Sequence, residues 1–131
     1  MNAAQWEALT SPESRAFLRE HGDQDPAQLA LKYARTSGLD VPALCRQIDL
    51  RRRARRKLPS LVERGMLLES TALEQSSSEA TARYKARLMS GRRCIDLTGG
   101  LGVDVIHLSR VFREIVYCEE NPVLAELFRV N

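Results

Sequence analysis

The stretch Cys94 to Asp104, "CIDLTGGLGVD", decides how this chain folds. Two apolar residues reach an acid, Asp96, and Gly99, Gly100 and Gly102 follow almost at once. The residues leading in, "RRCIDL", form a short apolar run that reads as a strand. Those leading out, "GVDVIHLSRVF", place Val105, Leu108 and Phe112 at helical spacing. A chain that leaves a strand and enters a helix so quickly must turn sharply. Glycine takes positive φ without strain and lets another group approach the backbone. A helix start adds free N–H groups and partial positive charge. In an open parallel sheet, ligands bind beyond the carboxyl ends of the strands. The loop therefore reads as a small-molecule cradle, with a plain structural turn as the alternative.

Downstream, "EIVYCE" is a second strand that ends at Glu119 and Glu120. A helix then restarts at Pro122, with Val123, Leu124, Leu127 and Phe128 as its apolar face. This order predicts an α/β fold class: a helical N-terminal region followed by the start of a Rossmann-like parallel sheet, β-α-β-α. Glu119 lies 23 positions after Asp96, near the spacing of about 20 between such a turn and a ribose-binding acid. Its carboxylate can accept hydrogen bonds from both ribose hydroxyls. Two parallel strands do not cover a sheet on both faces. The sheet is thus expected to be incomplete here. The chain would be the N-terminal piece of a longer protein, or its open edge would support self-association.

Upstream, the expected division is a helical domain over 1–75 and the α/β part over 76–131. Ser11 with Pro12, Asp25 with Pro26, and Asp40 with Pro42 are helix starts. The second helix is expected to run to about Arg35 and stop before Gly38, with Ala27, Leu31 and Ala34 on its apolar face. The third should pass through an arginine block, until Pro59 ends it or starts a short turn. Gly65 breaks the chain again. One of Ser76 to Ser78 caps a further helix that runs to about Met89.

Composition narrows the class. Of 131 residues, 44% are hydrophobic and 28% charged, which fits a globular domain and leaves no disorder to explain. No apolar run is long enough for a membrane span, and the N-terminus has no signal-peptide pattern. The cysteines Cys45, Cys94 and Cys118 form no C-x-x-C pair, and His21 and His107 stand apart. No metal and a reducing, cytoplasmic location are the expectations. The net charge of +3 hides an uneven distribution, because Arg46, Arg51, Arg52, Arg53, Arg55, Arg56 and Lys57 face only Asp49 within their segment. Such a block points to a polyanion, with nucleic acid first. Arg51, Arg52, Arg53, Arg55, Arg56 and Lys57 are its candidate phosphate contacts. A solvated charged helix, or pairing with Glu63, Glu69 or Glu74, is the alternative.

The dinucleotide fingerprint G-x-G-x-x-G would begin at Gly100 and Gly102 and require glycine where Val105 stands. The loop instead resembles the first motif of class I S-adenosylmethionine-dependent methyltransferases, acid-x-G-x-G-x-G. Asp96 matches the acid, Gly100 and Gly102 the last two glycines, and Thr98 replaces the first. Glu119 falls at the ribose acid, and "EENP" resembles the acid-x-N-P that often follows it. Together with "SSEATARYKARL", the stretch looks like bacterial methyltransferases that carry a THUMP-like domain, related to RNA guanine-N2 methyltransferases. The resemblance implies S-adenosylmethionine as cofactor, held by Asp96, Thr98, Gly99, Gly100, Gly102 and Glu119. It further implies that Thr81, Arg83 and Tyr84 line the pocket.

RNA methylation is the implied activity. The N/D-P-P-aromatic catalytic loop usual in that group is missing, so the chain alone is expected to transfer no methyl group and its catalytic residues are not identified. Two other readings stay open. One is a dinucleotide-dependent enzyme, and the other is a non-catalytic nucleic-acid-binding or assembly module that uses the arginine-rich helix. The methyl acceptor is not encoded in anything legible here.

Overall fold

Side-chain caps set most of the helix starts. The computed structural model describes residues 1–131, the side chain of Ala3 apart. The elements run α1 (Ala3–Leu9), α2 (Pro12–His21), α3 (Pro26–Lys32), α4 (Val41–Ala54), α5 (Pro59–Glu63), α6 (Ser70–Gln75), α7 (Glu79–Leu88), β1 (Gly91–Asp96), α8 (Val103–Leu108), β2 (Phe112–Tyr117) and α9 (Pro122–Val130). Ser11, Asp25, Asp40 and Ser78 each accept a first-turn N–H, as their spacing predicts. Asn2, Glu69 and Asn121 cap three more helices in the same way.

Three expectations need correction. The helix α3 ends at Lys32, short of Arg35, and Leu31 is 82% exposed while Leu29 is buried. An alanine-rich stripe offers little area to bury, so contact with α4 turns Leu29 inward and leaves Leu31 outside. The helix α8 stops at Leu108, and Phe112 belongs to β2. Pairing of β2 along β1 claims Phe112, which stands opposite Gly91. The helix α4 ends at Ala54, so Arg55, Arg56 and Lys57 lie in the turn that follows.

The sheet has two parallel strands in the order β1-β2, with register Gly91 opposite Phe112 through Asp96 opposite Tyr117. The chain is thus a helix-rich α/β protein. One apolar cluster includes Trp6, Leu9, Leu29, Leu44, Ile48, Leu58 and Leu68 and continues to Leu101 and Leu127. Among the described residues, no helix is long and apolar enough to cross a membrane.

Buried polar groups connect the segments. Leu67 and Leu68 lie in an irregular stretch whose amides have no strand to pair with. Gln47 donates from Nε2 to the Leu68 carbonyl at 2.8 Å and accepts the Leu68 N–H at 2.9 Å. Asn131 does the same for Leu67, accepting its N–H at 2.7 Å and donating to its carbonyl at 3.0 Å. Side-chain amides thus supply what a sheet ladder would otherwise provide. Glu79, 1% exposed, accepts the Leu61 N–H at 2.9 Å and the Ser60 hydroxyl at 2.8 Å. It caps α5, whose own N-cap, Leu58, has no side-chain acceptor.

Candidate functional site

The glycine loop is held from below by two aromatic rings. Tyr117, at the end of β2, and Phe128 of α9 stack with centroids 3.9 Å apart and planes 8° apart. A Cβ on Gly99 would stand 2.1 Å from the Tyr117 ring, and one on Gly102 would stand 2.2 Å from the Phe128 ring. Gly102 also has φ of +76°. These two glycines therefore make room for the ring packing beneath the loop. Gly100, at φ +51°, is the open one, since a Cβ there would meet nothing nearer than the Thr98 carbonyl at 3.8 Å. The Tyr117 hydroxyl donates to the Gly100 carbonyl at 2.7 Å. Burial, and then the charges of Glu119 and Asp96, push that phenol up to about 12. It therefore stays a neutral donor across the physiological range.

Glu119 faces the loop. Its Oε2 accepts the Gly100 N–H at 2.8 Å and its Oε1 accepts the Asn121 N–H at 2.8 Å. A carboxylate offers about four acceptor positions. Two are used, and capacity for two hydroxyl donors remains. Asp96 ends β1 and accepts the Thr98 N–H at 3.0 Å, which tightens the turn.

Beside the loop lies a cleft of about 620 Å³. One wall is Thr98, Gly99, Gly100 and Leu101, with Glu119 to Asn121 beyond. The other comes from the end of α6, the link that follows it and the last turn of α7, through Gln75, Ser76, Ser77 and Lys85. The Lys85 ammonium donates to Asp104 at 2.8 Å and to the Ser77 hydroxyl at 2.8 Å, and Ser77 donates to Asp104 at 2.9 Å. This triad fastens α7 to the first turn of α8 at the cleft margin.

The cleft brings together Thr98, Gly99, Gly100 and Glu119 of the predicted set. Asp96 and Gly102 sit behind that wall, one in the turn and one against Phe128. Thr81, Arg83 and Tyr84 are exposed on α7 and lie outside the lining, where Lys85 stands instead. The lysine carried no motif in the sequence. Only the packing of α7 on α8 turns it toward Asp104.

The basic block divides in two. Arg51 donates to the Met66 and Gly65 carbonyls at 3.1 and 2.5 Å. Lys57 donates to the Leu73 and Glu74 carbonyls at the end of α6, at 2.6 and 2.8 Å. Arg53 pairs with Glu74 at 3.0 Å, one of the acids foreseen, and Arg55 pairs with Asp23. Arg52 and Arg56 are exposed and have no ion pair among the described residues.

No protein-family model matches the sequence, and no curated protein matches it significantly. A solved structure does: the crystal structure of a "putative methyltransferase" from Porphyromonas gingivalis W83. It aligns with a TM-score of 0.76 at 28% identity, covering 98% of this chain and 32% of that one. The chain thus spans about a third of that protein's length, and it has a methyltransferase-like fold.

Proposed function

We propose that the chain is the N-terminal part of an S-adenosylmethionine-dependent methyltransferase that acts on RNA. In this reading β1, α8, β2 and α9 open a Rossmann-like sheet and supply half of the cofactor site. The methyl acceptor site and the catalytic loop come from sequence outside these 131 residues. The observation that carries the reading is the orientation of Glu119. Its carboxylate stands on the Gly100 N–H at the cleft wall and keeps acceptor capacity for two ribose hydroxyls. Gly100 adds a wall with no side chain. These features fit a nucleoside with a small tail.

When bound, S-adenosylmethionine supplies an electrophilic methyl group. The chain's own residues bind and orient. Glu119 and Gly100 hold the sugar side, Thr98 offers a hydroxyl at the cleft wall, and Asp96 keeps the turn closed by accepting the Thr98 N–H. Arg52 and Arg56, free of internal ion pairs among the described residues, support RNA as the acceptor class.

Calorimetric titration of the full-length protein with S-adenosylhomocysteine tests the proposal. Binding should be measurable, and Glu119→Ala should weaken it by about tenfold or more, the scale of a lost charge-assisted hydrogen bond. An unchanged affinity in that variant would remove the basis for the assignment.

A further inference from the structure

We propose that the cleft bounded by α2, α4 and α5 is a second ligand site and that it binds a phosphate group. In the sequence, the densest basic residues fall in one block, Arg46 to Lys57. The structure gathers a different set. Arg15 and Arg19 of α2, Arg51 of α4, Arg55 in the turn beyond it and Arg64 after α5 line one cleft of about 670 Å³. Only Asp23 and Glu63 oppose them there, and Asp23 is already paired with Arg55. Arg15, Arg19, Arg51 and Arg64 have no ion pair among the described residues.

Several arginines brought together without matching acids repel one another. Burial, and then the charge of Arg15, lower the Arg51 guanidinium to about 10. An anion in the cleft would relieve that repulsion. The arrangement is also prepared for one. Two backbone carbonyls fix the Arg51 fork, and Arg15 is tethered through Nε to the Thr10 carbonyl at 3.1 Å. In both residues, other guanidinium N–H groups keep free donor capacity. Planar forks bond phosphate oxygens in pairs, which a lysine cannot do. The cleft also carries apolar lining from Leu18, Ile48 and Val62. Its volume suits a nucleotide-sized group better than a lone carboxylate.

The phosphate can belong to an RNA backbone or to a free nucleotide. The chemistry is shared, and the test separates the two. The site is distinct from the glycine-loop cleft, so its failure would leave S-adenosylhomocysteine binding at Glu119 as it was.

Pyrophosphate is the probe, titrated by calorimetry into the whole chain. Arg15→Gln combined with Arg19→Gln, both at exposed positions, should weaken its binding by about tenfold or more. Arg87→Gln combined with Arg92→Gln, two exposed arginines outside both clefts, removes the same charge and should change the affinity less than about twofold. Displacement of a labelled single-stranded RNA by pyrophosphate would assign the site to an RNA backbone. Pyrophosphate binding with no RNA bound would assign it to a free nucleotide. No pyrophosphate binding at millimolar concentration, or equal losses in the two double variants, would overturn the proposal.

Discussion

The helical region before β1 and the strand region after it bury their surfaces in opposite ways. The helices close on themselves: Trp6, Leu9, Leu29, Leu44, Ile48, Leu58 and Leu68 are all at 1% exposure or below. In the strand region, Ile95 is 55% exposed and Leu97 is 76% exposed. Its buried apolar residues are those facing the helices, Leu101, Val103, Val105, Leu108 and Leu127. The first region supplies most of the shared apolar core. The second is a tight loop and a strand pair held against that core through α7, α8, α1 and α9. Precision in the second region therefore comes from close steric fits around the loop, and robustness in the first comes from volume.

The largest effect should separate these two modes. Gly102→Ala adds a Cβ 2.2 Å from the Phe128 ring, at a φ of +76°. Overpacking and left-handed strain together should cost roughly 3–5 kcal/mol in a urea melt. Phe128→Ala in the same chain should recover only the steric part. A near-neutral Gly102→Ala would mean that the loop is loose and the contrast wrong.

Next in size is Glu79→Ala, which strips the cap from α5 and leaves the Leu61 N–H unsatisfied. It should cost about 1–3 kcal/mol at neutral pH. Burial alone would raise the Glu79 carboxyl, but the bonds from Leu61 and Ser60 and the nearby Arg83 outweigh it, and the group lies below its ordinary 4.5. The unfolded chain then binds the proton more readily. The stabilisation is present above the ordinary value and is lost as pH falls through the folded one. Urea midpoints taken from neutral to acid pH should show that loss in the parent and a weaker slope in the variant.

A smaller effect should come from His107. It is 2% exposed, and neither ring nitrogen has a hydrogen-bond partner. Burial, then the charge of Arg110, lower its pKa below 6.5. The neutral form is the folded one, so stability should fall as pH drops from 6.5 toward the lowered value. His107→Leu should flatten melting temperature against pH in that window. Retention of the full slope would place its origin elsewhere. The smallest effect belongs to Leu31→Glu on the exposed side of α3. It should change stability by no more than about 0.5 kcal/mol, and a larger loss would show that α3 has a second buried face.

Much of the local structure was legible because it rests on neighbours in sequence. Ser11, Asp25, Asp40 and Ser78 act on an N–H two or three residues on, so the signal and its partner lie in one short window. The strand–helix–strand–helix order was legible for the same reason. Glu119 was found by its spacing from Asp96, and it does face the loop. The short α6 had no cap of the familiar type, since Glu69 plays that part. The apolar face of α3 is not legible, because an alanine-rich wheel does not say which side meets α4. Lys85, Glu79 and the ring pair under the loop act on partners far along the chain, and no local pattern marks them.

By itself, the sequence determined several helix starts, the strand–helix–strand–helix order of the second half, and that an acid would follow the second strand. Those outcomes depend on φ preferences, caps and apolar spacing, all short-range. The tertiary structure alone decided that Gly99 and Gly102 yield to an aromatic stack while Gly100 stays open. It alone also decided that arginines from α2, α4 and the turn after α5 share one cleft. The reason is physical: contact and charge fall off with distance in space, and separation along the chain does not measure that distance.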